Sequence, residues 1–219
     1  TVTVDGGFAG PLLTVKSGGT VNFNAGGSGA NVPVLVIEEG ASLTESVSGD
    51  FALGNVVDFD TPLNTLELQG DASLSVDAGS TMILGMAVTG GGDLDLNTGA
   101  GSNVRMTDSQ THAGVIRFNG AGDEVSLEWD RDHGVIEMNA TGANRFNYLH
   151  TGQIDTGTLI FNQPGEVLHS TTITSPASRL VAADKLVANA NVTIDLSTPY
   201  ISGNANSERR LQFQNALEG

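Results

Sequence analysis

Four histidines and a set of closely spaced carboxylates are the side chains of this 219-residue chain best suited to chemistry. His112 and His133 stand 21 residues apart, with Asp130 and Asp132 just before the second. Two imidazoles and a carboxylate are an acceptable start on a zinc or copper site. The carboxylates pair at short range as Asp58/Asp60, Asp93/Asp95, Glu124/Glu128 and Asp130/Asp132. Such pairs on one sheet face could hold Ca2+ or divide acid and base roles at a glycosidic bond. In a strand, Asp93 and Asp95 would point the same way. Alternate outward positions of a strand are polar in any case, however, and a histidine at a turn is ordinarily a solvated residue. The expectation is no catalytic residue, no cofactor and no metal. Ca2+ is the ion the acidic pairs would take, and His112, His133, Asp130 and Asp132 are the candidate ligands.

Other motifs exclude more than they assign. "GGGDLDLN" at 90–97 touches the Gly-Gly-x-Gly-x-Asp signature of Ca2+ rolls, but it occurs once, and a roll needs tandem nonapeptides. No Gly-x-Ser-x-Gly elbow, His-Glu-x-x-His pair or phosphate loop is present. "TVTV" at 1–4 and "STTIT" at 170–174 are too isolated to form the long Thr-x-Thr ladders of an ice-binding face. Trp129 and Tyr148 share the phase of Val125 and Phe146, which makes them core residues rather than sugar-stacking platforms.

Composition narrows the class. Glycine is 29 of 219 residues, about twice its usual share of roughly 7%. There is no cysteine, aromatics are 5%, and the formal net charge is −16. That acidity disfavours nucleic acid, whose phosphates need a cationic face, and adsorption to an anionic membrane. A disulfide framework is excluded, and no apolar run is long enough to span a bilayer as a helix. Short alternating runs of Val, Ile, Leu, Thr and Asn broken by glycine imply many short strands.

The strands recur. Gly-x-(Ile/Leu)-x-(Phe/Leu/Met)-Asn appears as "GDLDLN" (92–97), "GVIRFN" (114–119), "GVIEMN" (134–139) and "GTLIFN" (157–162), with glycines 22, 20 and 23 apart. "GTVNFN" at 19–24 is a near relative. Between these phrases lies a second series led by Val104, Val125, Phe146 and Val167, each 21 residues after the last. A fixed period near 21 implies stacked coils of two strands each, because one coil cannot bury its apolar side alone. The expected fold is all-β: a single parallel β-helix solenoid, right-handed by the general crossover preference. Roughly ten coils at ~4.8 Å would give a rod of about 50 Å. Leu94, Ile116, Ile136 and Leu159 should then lie over one another inside. Asn97, Asn119, Asn139 and Asn162 should stack at a corner, and Asp95, Arg117 and Glu137 should alternate in charge outside. The phrase-opening glycines should supply positive φ at a corner.

The expected organisation is an irregular N-terminal part or cap over 1–63, regular coils over 64–196, and a C-terminal cap or linker over 197–219. In the weaker pattern after 177, Leu180 falls 21 after Leu159. The tail from about Ser207 is expected to form a short capping helix rather than an unfolded linker.

The frame "GVIRFNGAGDEVSL" resembles the passenger repeats of bacterial autotransporters and related surface proteins, over roughly residues 64–196. The resemblance implies an exported β-helix acting at the cell surface as adhesin, coat or S-layer-like material. It implies partners among other copies of the chain or cell-surface ligands, and carries no catalytic residue onto this sequence. A polysaccharide-acting β-helix enzyme, lyase, glycosidase or tailspike-like, is the alternative. The short turns between 92 and 167 leave little material for a cleft, and nine Lys and Arg are few for uronate substrates.

Overall fold

A computed structural model describes residues 1–5, 8–23, 29–31, 33–45, 50–53, 65–106, 113–127, 134–148, 157–169, 180–195 and 211–218. Among them every regular element is a strand, and every strand pairing is parallel. The architecture is a β-solenoid. Its first sheet has ten strands, running from Val2–Val4 through Thr20–Phe23, Ser42–Glu45, Ala72–Val76, Leu94–Thr98, Val115–Gly120, Val135–Met138, Thr158–Phe161 and Leu180–Ala188 to Leu211–Glu218. A second sheet of nine strands runs alongside it, from Phe8–Ala9 to Val192–Asp195.

The repeated phrases set the register. Leu94 pairs with Ile116, Ile116 with Ile136, and Ile136 with Leu159, so the columns of like residues form as the phrases predict. Their neighbours Leu96, Phe118, Met138 and Phe161 form a second column, and all eight side chains are fully buried. The second series makes the facing wall, Val104 over Val125, Phe146 and Val167. Each strand buries alternate residues because successive side chains point to opposite faces. Leu94–Thr98 alternates between buried and partly exposed positions until Asn97, which is exposed. Full burial of a side chain such as Phe118 is worth about 1.5–3 kcal/mol. Nearer the N-terminus, the Phe23 and Phe51 rings close the core with centroids 5.0 Å apart at 55°.

Four expectations are corrected. Coils of two strands do not describe the N-terminal part, where a third sheet joins Leu13–Val15, Val34–Ile37, Thr65–Leu68 and Ala87–Gly90. Its register passes from Leu13 to Leu35, Leu66 and Val88, and the unequal steps hide it from a search at fixed period. Residues before 64 thus contribute strands to all three sheets.

Leu159 is stacked on Leu186, not Leu180. The phrase "KLVAN" (185–189) repeats "TLIFN", and the side-chain amide of Asn189 donates to Asn162 at 2.7 Å, which fixes that register. The tail is not a helix over the residues described. Leu211–Glu218 is a strand paired with Leu180–Ala188, whose backbone groups a strand can satisfy and a helix cannot. Ser207 itself lies outside the described residues.

The phrase-opening glycines also act differently than expected. Gly134 and Gly157 do have positive φ, at 61° and 142°. Gly92 and Gly114 do not; their reason is close approach. A Cβ on Gly114 would collide with the carbonyl of Gly92, and one on Gly92 with that of Gly70. Gly114→Ala should therefore destabilise by about 2 kcal/mol through overpacking. Thermal unfolding should show a fall of roughly 5 °C.

Candidate functional site

The outer face of the first sheet carries the densest set of charged side chains among the described residues. Arg117 projects from the strand Val115–Gly120 between carboxylates of the coils on either side. Its Nη2 lies 2.6 Å from Asp93 Oδ2, its Nε 3.3 Å from Glu137 Oε2, and its Nη1 3.7 Å from Asp95 Oδ1. The register Asp95–Arg117–Glu137 is the alternating column expected from the phrases. Asp93 joins it as the nearest partner and so shares the outer face with Asp95. The hydrogen bond from Arg117 to Asp93 pushes the guanidinium pKa further up, against the opposing effect of partial burial, with the Asp93, Glu137 and Asp95 charges adding to the rise.

Asp93 has a second task. Its Oδ1 accepts the backbone N–H of Val115 at 2.9 Å, and Asp71 Oδ1 accepts the N–H of Asp93 at 3.0 Å. These carboxylates complete backbone hydrogen bonding between coils, where an unpaired N–H would be costly. Beside them runs a ladder of amides. Asn119 Nδ2 donates to Asp95, Asn139 Nδ2 to Asn119 Oδ1, and Asn162 Nδ2 to Asn139 Oδ1, at 3.1, 3.0 and 2.9 Å. Asn189 extends it. Asn97 pairs with Asn119 in backbone register, yet Asn119 turns its amide to Asp95.

The second sheet repeats the arrangement. Glu124, Arg145 and Glu166 are in register, and Arg145 Nε lies 3.3 Å from Glu166 Oε2. Glu124 Oε1 accepts from Ser126 Oγ at 2.6 Å and from Asn147 Nδ2 at 2.8 Å. Asn144, at the preceding corner, was not singled out by any sequence pattern. It is fully buried with φ 50°, and its Nδ2 donates to the carbonyls of Gln163 and Pro164 in the next coil. Asn is the non-glycine residue that tolerates that backbone region, so one side chain shapes the corner and ties it to its neighbour.

His112, His133, Asp130 and Asp132 all lie outside the described residues, as do Asp58, Asp60, Glu128 and Trp129. Of Tyr148 the backbone alone is described, paired with His169. Among the described residues no group of three or more His, Asp or Glu side chains could hold a metal ion. No helix among them is long and apolar enough to cross a membrane.

Comparison of the chain with protein-family models, curated proteins and solved structures finds no match in any of the three. A carboxylate facing a guanidinium or backbone N–H is an acceptor in a fixed bond, whereas a general acid needs a carboxyl kept protonated by burial or a like charge. The carboxylates of Asp93, Glu137 and Glu166 are acceptors of the first kind, and their bonds join one coil to the next.

Two outcomes follow. Arg117→Met leaves Asp93, Asp95 and Glu137 without their shared cation. It should lower stability by about 1 kcal/mol in dilute buffer and less in high salt, as thermal unfolding at two ionic strengths would show. Glu38 is held below the usual carboxylate range by its hydrogen bond from Lys16 (2.6 Å) and one from the Ser17 N–H. Its contribution is present above the unfolded-state pKa and is lost as pH falls through the lowered folded value. In a series of melting curves across the acid range, Lys16→Met should lower stability slightly at neutral pH and leave it unchanged at the acid end, so that the loss flattens.

Proposed function

We propose that this chain is a non-catalytic structural and adhesive solenoid of a bacterial cell surface, a passenger-like segment of an adhesin, coat or S-layer-like protein. The observation that carries this reading is the use of the outward charged groups. Arg117 with Asp93, Asp95 and Glu137, and Arg145 with Glu166, bind one coil to another. Groups so employed supply rigidity and register. A polysaccharide-cleaving enzyme instead requires two carboxyl groups held apart across a substrate path.

The acidity supports the same reading. With a net charge of −16, copies repel unless their contacts are specific, and the chain is a poor ligand for nucleic acid. The expected partners are other copies of the chain or cell-surface ligands. The expected location is extracellular, and the proposed work needs no cofactor.

Incubating the protein with a panel of neutral and acidic polysaccharides, with released reducing ends as the readout, separates the possibilities. The proposal predicts no depolymerisation, and surface labelling by antibody on intact cells of the source organism. Release of oligosaccharides, abolished by Glu124→Gln or Glu137→Gln, would overturn it in favour of an enzyme.

A further inference from the structure

Asn119 is followed by Gly120, the one Asn-Gly pair in the chain. Glycine has no side chain to hinder its backbone nitrogen, so that nitrogen can approach the side-chain carbonyl carbon of the preceding asparagine. We propose that Asn119 is a deamidation site kept unreactive by the stacked fold and committed when its coil opens. The Gly120 nitrogen bonds to Cγ of Asn119 and gives up its proton. The Cγ–Nδ2 bond breaks, and ammonia leaves with that proton. Water then opens the five-membered imide, leaving aspartate or isoaspartate, and no oxidant or reductant takes part.

In the closed stack the reacting groups are held apart from several directions. Asn119 lies within the extended strand Val115–Gly120, paired with Leu94–Thr98. Its Nδ2 donates to Asp95 Oδ1 at 3.1 Å, and its Oδ1 accepts from Asn139 Nδ2 at 3.0 Å. Its backbone carbonyl accepts from Thr98 Oγ1. Gly120 is fixed at φ 92°, and its carbonyl accepts both the N–H and the hydroxyl of Thr141. Gly120 cannot be exchanged to remove the hazard, because a Cβ there would collide with the Thr98 carbonyl. Turning Cγ onto the Gly120 nitrogen thus requires both ladder bonds of Asn119 to break and the backbone at 119–120 to leave its paired course, which is local opening of the coil.

The product does not fit the place it came from. At position 119 an aspartate sets a carboxylate where an amide had donated to Asp95, and two carboxylates at that distance repel. The bond from Asn139 survives, since aspartate still accepts. Isoaspartate adds a backbone methylene and displaces the strand register as well. A coil that opens for long enough is thereby marked, and it recloses with the Asp95 step of the ladder missing.

The test has two arms, both on the full 219-residue chain. In mildly alkaline buffer, peptide mass mapping follows the gain of about one mass unit at Asn119 in the native and the urea-unfolded protein. The unfolded chain should react at least ~10-fold faster, in line with protection by a closed coil. Equal rates would overturn the proposal. In the second arm, Asn119→Asp should lower the melting temperature and the hydrogen-exchange protection of 115–120. Adding Asp95→Asn should restore both, because the donor and acceptor then simply change places. An Asn119→Asp protein as stable as the parent, or no recovery in the double variant, would contradict the role given to the Asp95 step. Should Asn119→Asp not fold, the double variant and the rate comparison still decide the matter.

Discussion

Parallel strands paired in register place each residue directly over its counterpart one coil away, at the ~4.8 Å strand spacing. Every column of the solenoid must therefore tolerate near-repetition of one side chain at that distance. Inside, the requirement is volume. The column Leu94–Ile116–Ile136–Leu159 varies by little more than branching. Its neighbour alternates larger and more adaptable residues, Leu96, Phe118, Met138 and Phe161, all fully buried. Where the backbone itself comes too near, as along Gly70, Gly92 and Gly114, the column admits no side chain.

Outside, the same constraint acts through charge. A column of identical carboxylates would repel at each step, so the acidic positions either alternate with arginine or turn to backbone N–H groups. Asp95–Arg117–Glu137 and Glu124–Arg145–Glu166 are the first solution. Asp71 and Asp93 are the second. Asparagine resolves the problem differently: it carries a donor and an acceptor, so translation by one coil brings unlike groups together. Asn119, Asn139, Asn162 and Asn189 can repeat without alternation for that reason. In a chain of net charge −16 the ladder stays neutral, and its first step alone meets a carboxylate, Asp95.

Much of this was legible in the residue order, because the phrases from 92 to 162 state both period and facing. Ile116, Phe118, Arg117 and Asn119 take the positions that alternation assigns them. The parts that were not legible have physical reasons. The third sheet recurs at unequal steps, so Leu13, Leu35, Leu66 and Val88 do not announce themselves at one period. "KLVAN" lacks the opening glycine and large closing residue of its relatives, and a count of 21 from Leu159 therefore landed on Leu180 instead of Leu186. That Asp93 rather than Asp95 is Arg117's nearest partner was not legible, because alternation sets both carboxylates on one face and does not rank them. Asn144 has no repeat at all, and its role comes from one buried corner.

The most direct measurement is the distance between spin labels placed in one outward column of the first sheet. Thr20, Ser42, Ser73, Asp95, Arg117, Glu137 and Ile160 follow one another in register. Labels at Thr20 and Ile160, six steps apart, should lie about 29 Å from each other, with Ser42 to Ile160 shorter by about 5 Å. Separations that fail to grow by one strand spacing per coil would contradict the stack on which every other feature of this protein depends.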